Sequence, residues 1–253
     1  IYFHENQLTY PIQPPHQRDL HYAYTNLISA ISANRVLFNS DFHLCEFTDA
    51  AEAWLNRMPD YQHLEIIDEI RQKAAVIPPG VRCLDISKIS DDRESTSNRS
   101  PLRILWVSRW EFDKAPETFF AALRLLKQNS VKFSLSVLGE SYRSAPACFD
   151  EARRDLADHI AHWGYLPSRA DYDRVLCESD VVVSTARHEF FGIGILEAVA
   201  AGCFPLGPRR LAYVETLPDE PRFFYDGTVG ELTEKLTALA DLRSQGNSLL
   251  SLD

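Results

Sequence analysis

Apolar runs that alternate with segments of helical period predict an α/β protein built on a doubly wound, mostly parallel sheet. Two observations carry the prediction. Runs in the second half of the chain, Ile104-Leu105-Trp106-Val107 among them, are continuously apolar, as strands covered on both faces require. Between them lie stretches with apolar residues three and four apart, so strand and helix take turns along the sequence. At about 150 residues per domain, the 253 residues allow one domain or two.

The first half yields a strand at 1–3, a helix over 20–33, a strand at 35–38 and helices over 42–56 and 64–73. A short strand beginning near Val76 is stopped by Pro78-Pro79-Gly80. Two or three strands are few for an independent sheet of this class, and Ile1-Tyr2-Phe3 reads as a strand already under way. The first domain is therefore expected to be truncated at its N-terminus. Residues 87–100 (SKISDDRESTSNRS) are almost wholly polar and without hydrophobic period, which reads as a flexible linker or an insertion. The chain thus divides into a partial domain over 1–86, the linker over 87–100 and a second domain over 101–253.

In the second domain strands are expected at 103–108, 133–138, 160–163, 180–184 and 204–206. Helices are expected over 116–128, 149–156, 168–177 and 194–201, the first with Phe119, Leu123 and Leu126 on one face. No further element is read beyond 206, and the chain runs out after the polar stretch Arg243-Ser244-Gln245-Gly246-Asn247.

Charge and cysteines narrow the function classes. With 26 Lys+Arg against 36 Asp+Glu, the net charge of −10 argues against gripping nucleic acid or acidic membranes through bulk charge. A local basic groove stays open. The apolar runs fall far short of the ~18 residues that span a bilayer. Cys45, Cys83, Cys148, Cys177 and Cys203 are odd in number and form no CxxC pair, which fits a reducing compartment and neither a disulfide framework nor a zinc site.

In doubly wound sheets ligands bind at the carboxyl ends of the strands, so the loops there carry the chemistry. The strongest signal is Arg187-His188-Glu189-Phe190-Phe191-Gly192-Ile193-Gly194-Ile195-Leu196-Glu197, which follows a buried strand and opens a helix with two glycines. Backbone N–H groups at that helix start can face a diphosphate, and Glu189 and Glu197 can accept hydrogen bonds from sugar hydroxyls. The same pattern also suits an ordinary strand-to-helix turn with two solvated glutamates. A second signal, Ser108-Arg109-Trp110-Glu111-Phe112-Asp113-Lys114, places two cations at the end of the first strand of the second domain, on the same sheet edge. Arg109 and Lys114 can neutralise a departing diphosphate, or can simply pair with Glu111 and Asp113 at the surface.

Two weaker clusters follow strands. His4, in Phe3-His4-Glu5-Asn6-Gln7, can touch a substrate or be a satisfied structural histidine. Gly164, Tyr165 and Leu166, in His162-Trp163-Gly164-Tyr165-Leu166-Pro167-Ser168, can offer backbone contacts to a base, or the segment can serve to pack Trp163. Asn39-Ser40 ends a strand, and Ser40 reads as the cap of the next helix. There is no GxxxxGK[ST], GxSxG, HExxH or GxGxxG, and His159 with His162 finds no further metal ligand.

The paired glutamates Glu189 and Glu197, with Arg109 and Lys114, resemble the donor-binding domain of the GT-B glycosyltransferases of family 4. Pro78-Pro79-Gly80-Val81 resembles the segment that ends their acceptor domain. Within them, several blocks are similar to the tRNA-queuosine α-mannosyltransferases. These are Tyr2-Phe3-His4-Glu5-Asn6-Gln7-Leu8-Thr9-Tyr10-Pro11, Arg109-Trp110-Glu111-x-Asp113-Lys114, Ser136-Val137-Leu138-Gly139-Glu140, the 162–168 block and His188-Glu189-Phe190-Phe191-Gly192. The resemblance implies a GT-B fold, two Rossmann-like domains facing a cleft with the first incomplete. It implies a cytoplasmic, retaining transfer of mannose from the donor substrate GDP-mannose to queuosine in a tRNA anticodon. No cofactor, no bound metal and no membrane are implied.

By the family pattern Arg109 and Lys114 stabilise the departing GDP, Glu189 binds sugar hydroxyls and Glu197 the ribose. Backbone amides at Phe191, Gly192 and Ile193 face the hexose and phosphates, and His4 lies near the transferred sugar. The family's opening βα units and its C-terminal helix are not read here, so activity of this chain alone is in question. Arg18, Arg35, Lys73, Arg209 and Arg210 are the candidates for a tRNA surface. Two other readings stand beside the first: a family 4 enzyme with a lipid or glycan acceptor, and a non-catalytic nucleotide-sugar-binding fragment.

Overall fold

The structure, a computed structural model, describes residues 1–13, 16–83, 101–141 and 145–250. The linker read at 87–100 lies outside the described residues. The chain forms two compact units, Ile1–Gly80 with His188–Gly192, and Val81–Arg187 with Ile193–Asp253.

The first unit carries a three-stranded parallel sheet, β1 (Tyr2–Phe3), β2 (Val36–Phe38) and β3 (Ala74–Val76), with β2 in the middle. Three helices accompany it: α1 (Leu20–Ser32), α2 (Asp41–Leu55) and α3 (Glu65–Lys73). Asp19 caps α1 and Ser40 caps α2, each accepting a backbone N–H two or three residues on. Phe3, Phe38 and Phe47 meet at the centre of its core, with ring centroids 5.1–5.4 Å apart.

In the second unit six parallel strands follow the order β6-β5-β4-β7-β8-β9. They are β4 (Leu102–Val107), β5 (Phe133–Leu138), β6 (Ile160–Gly164), β7 (Val181–Val183), β8 (Phe204–Pro208) and β9 (Phe224–Tyr225). The chain starts in the middle, moves outward through β5 and β6, then returns to lay β7 against the other side of β4. The switch point between β4 and β7 is where such a sheet opens a crevice for ligands. The helices are α4 (Pro116–Gln128), α5 (Cys148–Asp155), α6 (Arg169–Glu178), α7 (Ile193–Ala200), α8 (Tyr213–Thr216) and α9 (Val229–Ser244).

Local chemistry explains the elements. Arg103 interrupts the apolar run of β4, yet its guanidinium forks onto Asp180 at 2.7 and 3.1 Å, and the same carboxylate accepts its backbone N–H. Pro116 opens α4, whose Phe119, Phe120, Leu123 and Leu126 are fully buried, each burial being worth about 1.5–3 kcal/mol.

The chain beyond 206 corrects the sequence reading, for it holds β9, α8 and the long α9. Two signals mark α9. Thr228 is its N-cap: Glu231 N–H donates to the Thr228 hydroxyl, Thr228 N–H donates to the Asp226 carboxylate, and the Glu231 carboxylate accepts from Asp226 N–H. Leu232, Leu236, Leu239 and Ala240 form its buried stripe. Interleaved Thr, Ala and Gly residues dilute the helical period, which hid it. The polar stretch from Arg243 begins as the last turn of this helix.

Candidate functional site

The corner after β4 is held by residues from distant parts of the second unit. Lys114, 7% exposed, lies with its Nζ 3.1 Å from Asp113 Oδ2, itself 2% exposed. The peptide is anchored as well: Thr185 donates its hydroxyl to the Lys114 carbonyl at 2.7 Å, and Arg187 N–H donates to the Asp113 carbonyl at 2.8 Å. Both anchors come from the end of β7, so the switch point itself fixes the corner. Ala115 takes a left-handed conformation (φ 46°, ψ 53°), a strained choice for a non-glycine residue that turns the chain from Lys114 into α4.

Arg109 differs from its neighbour. Its side chain is 45% exposed, with Nη1 3.4 Å from Glu111 Oε1. The pairing with Glu111 and Asp113 weighed from the sequence is thus present in both cations, but only Lys114 is buried. A buried lysine held in place at the carboxyl end of a central strand is a preorganised cation for an anionic ligand.

Gly139 closes the adjacent strand end. A Cβ there would meet the Ser108 carbonyl oxygen at 1.8 Å, so only glycine lets β5 turn beside the start of the Arg109 loop. Gly194 lets the first turn of α7 approach the Val107 carbonyl to 3.2 Å from its hypothetical Cβ. The N-terminus of α7 is therefore held close over the end of β4.

Glu197 lies inside α7 and is not a solvated glutamate. Arg169 Nη2 donates to its Oε1 and the Tyr172 hydroxyl to its Oε2, both at 2.8 Å. Burial first, then the Glu197 carboxylate, pushes the Tyr172 phenol above its usual range, so it stays a donor. The hydrogen bond to Glu197 raises Arg169 in turn. Neither partner was singled out from the sequence. Both lie on α6 three residues apart, a spacing that puts them on one helix face and was the signal available.

Gly164 ends β6, two strands from β4 in the sheet, and Tyr165 and Leu166 follow it. Gly164 has φ 107°, and Tyr165 is exposed. Trp163 packs against Trp110, Phe120 and Phe149 at 5.6–6.4 Å, the packing role weighed from the sequence. Arg109, Lys114, Gly164–Leu166 and the start of α7, with Ile193, thus belong to the carboxyl edge of one sheet.

His4, Glu189, Phe191 and Gly192 belong to the first unit. His4 is exposed after β1, its ring 4.7 Å from that of Tyr2, and its carbonyl accepts from Asn39 Nδ2 at 3.0 Å. Asn6, fully buried, accepts from Leu8 N–H and Thr9 N–H at 3.0 Å, so part of the His4 cluster is a side-chain-built turn. Phe191 and Gly192 are buried; the Phe191 N–H reaches Glu189 Oε1 at 3.4 Å.

The basic candidates for a tRNA surface have the following partners within the chain. Arg18 donates to the carbonyls of Gln7 and Tyr10, and Lys73 to that of Ile31. Arg209 pairs with Asp219 at 2.9 Å, and Arg210 reaches the Ala186 carbonyl at 3.3 Å. Among the described residues no three His, Cys, Asp or Glu side chains gather as metal ligands would, and no helix is long and apolar enough to cross a membrane.

Residues 1–81 match the family described as tRNA-queuosine alpha-mannosyltransferase N-terminal, and residues 87–244 match glycosyl transferases group 1. A tRNA-queuosine alpha-mannosyltransferase of Drosophila melanogaster is 35% identical over 240 residues, covering 93% of this chain and 63% of that protein. The chain therefore spans less than two thirds of that relative. A GDP-mannose:cellobiosyl-diphosphopolyprenol alpha-mannosyltransferase of Xanthomonas oryzae pv. oryzae (strain PXO99A) is 26% identical over 133 residues, 52% of this chain and 33% of that protein. Among solved structures, a sucrose-phosphate synthase from Thermosynechococcus elongatus superposes with a TM-score of 0.67 at 19% identity, covering 98% of this chain and 60% of that one. TarM does so with a TM-score of 0.63 at 13% identity, over 98% of this chain and 44% of the other. At such identities these likenesses speak for the fold, the parallel-sheet α/β fold of GT-B glycosyltransferases.

Proposed function

The chain belongs to the glycosyl transferases group 1, and from that premise we propose that it moves mannose, with retention, from GDP-mannose to queuosine in a tRNA anticodon. The observation that carries the proposal is the 35% identity over 240 residues with the fly enzyme, which runs through both units of the chain. The match of residues 1–81 to an N-terminal region described for the same activity supports it.

The site supports the donor half of the reading by its chemistry. Breaking the bond between the anomeric carbon and the β-phosphate oxygen leaves negative charge on the diphosphate. Lys114, buried and preorganised, and Arg109, more exposed, would receive that charge where it develops. In this reading they do what a bound divalent cation does elsewhere, so no metal is required. Glu197, held by Arg169 and Tyr172, keeps a carboxylate ready for ribose hydroxyls, and Glu189 takes hydroxyls of the hexose. His4 would lie near the transferred sugar. The amides of Phe191, Gly192 and Ile193, with the backbone of Gly164, Tyr165 and Leu166, would complete the donor contacts. The enzyme would act in the cytoplasm, on the strength of its tRNA acceptor.

A second reading keeps the donor and changes the acceptor to a lipid-linked glycan, the acceptor in the name of the Xanthomonas relative. The test is mannose transfer from GDP-mannose, with EDTA present, to tRNA carrying or lacking queuosine, using the intact protein. Transfer only to queuosine-containing tRNA is expected. Equal transfer to both, or transfer only to a polyprenol-linked glycan, removes the tRNA reading. Failure of GDP to bind in a calorimetric titration removes both readings and leaves a non-catalytic fragment.

A further inference from the structure

The turn from β2 into α2 holds a polar cluster that the proposed mechanism does not use. Asn39, Ser40 and His43 are 5%, 2% and 0% exposed. Ser40 has a double role: its oxygen accepts from His43 N–H at 3.0 Å as the cap of α2, and its hydroxyl donates to the Phe190 carbonyl at 2.6 Å. The His43 ring stacks on the Phe190 ring, centroids 3.8 Å apart and planes 17° from parallel.

Asn39 fixes the tautomer. Its Nδ2 donates to the His4 carbonyl, so its Oδ1 is the acceptor that faces His43 Nδ1 at 2.8 Å. His43 therefore carries its proton on Nδ1. Its Nε2 is buried with no hydrogen-bond partner, so a second proton there would be stranded. Burial first, then His188 and His4, lowers the imidazole to about 3, and the ring that stacks on Phe190 is neutral.

We propose that Asn39, Ser40 and His43 are positioning residues that latch the segment His188–Gly192 through Phe190, and so set the place of Glu189 for the sugar. The inference rests on the donor reading for Glu189. The physical content is simple: a loop residue one position from a substrate-binding carboxylate is held at its carbonyl by a hydroxyl and at its ring by a stacked, neutral imidazole. The one amide that orients this imidazole also holds the His4 backbone, so two candidate site residues hang on Asn39. No charged group takes part in the latch, so its hold does not compete with the anionic donor.

Two measurements on the intact protein test this with Ser40→Ala, Ser40→Thr and His43→Phe. The first is hydrogen exchange of the 188–192 amides. Ser40→Ala and His43→Phe are expected to speed it by about fivefold or more, with Ser40→Thr close to the parent. The second is steady-state transfer from GDP-mannose. The same two variants are expected to lose about tenfold or more in kcat, with GDP affinity unchanged and Ser40→Thr restoring much of the loss. Unaltered exchange in 188–192 overturns the latch. Faster exchange with parental kcat and KM overturns its positioning role. A parent inert toward GDP-mannose, with the exchange response intact, upholds the latch and overturns the donor reading instead.

Discussion

In the six-stranded sheet, β4 and β5 run for six residues each, whereas the strands of the three-stranded sheet are two or three residues long. The two units consequently rely on different interactions at their strand ends. The second unit buries an ion pair, Lys114 with Asp113, over a large apolar core. The first unit, with a small core, buries neutral polar groups: Asn6, Asn39, Ser40 and His43. A charged corner tolerates burial where long strands hold it in place. The short-stranded unit fully buries neutral groups instead, and its charged ties, Arg18 to Gln7 and Tyr10 and Lys73 to Ile31, come from half-buried side chains.

The comparison breaks first at Lys114. Lys114→Ala is expected to leave the buried Asp113 carboxylate without its lysine, at a cost of about 3–5 kcal/mol, and, on the proposed donor reading, to remove measurable GDP binding in titration calorimetry. A urea midpoint equal to that of the parent would show that the pair is dispensable. Next comes Gly139→Ala, whose Cβ would press on the Ser108 carbonyl and force the end of β5 away, for about 2–3 kcal/mol in the same denaturation experiment.

The neutral network of the first unit is sharpened by acid. The folded-state value of His43 is below its unfolded value of 6.5, so the unfolded chain binds the extra proton first. Stability from this group is whole above pH 6.5 and falls by about 1.4 kcal/mol for each pH unit below that, down to about pH 3. Urea titrations at pH 7 and 5 should show the loss, and His43→Phe should flatten it. The smallest effect is expected of Tyr172→Phe, which removes one hydrogen bond from Glu197 and should lower the denaturation midpoint by an amount worth about 1 kcal/mol.

Most of the second unit was legible in its sequence because its strands are apolar on both faces and its helices have one apolar side. The expected helix at 116–128 and strand at 133–138 match α4 and β5 in full. The helix α9 escaped because Thr and Ala loosen its stripe, although its N-cap is written plainly at Thr228. Of the candidate site, the residue types at strand ends could be read directly. Their partners could not: the Asp113 and Lys114 carbonyls are held by Thr185 and Arg187, far along the chain. Ser40 read as a helix cap and is one, but its second bond, to Phe190, crosses 150 positions and leaves no local trace.

The two anchors on the Asp113-Lys114 peptide also set a timetable. Thr185 follows Lys114 by 71 positions, and at about 5–20 residues per second a ribosome needs roughly 4 to 14 s to supply it. During that interval the nascent corner has its charges but lacks the hydroxyl and amide that orient them. The carboxyl end of β4 is therefore completed during synthesis only once the segment after β7 has emerged, well after β4 and β5 but ahead of β8, β9 and α9.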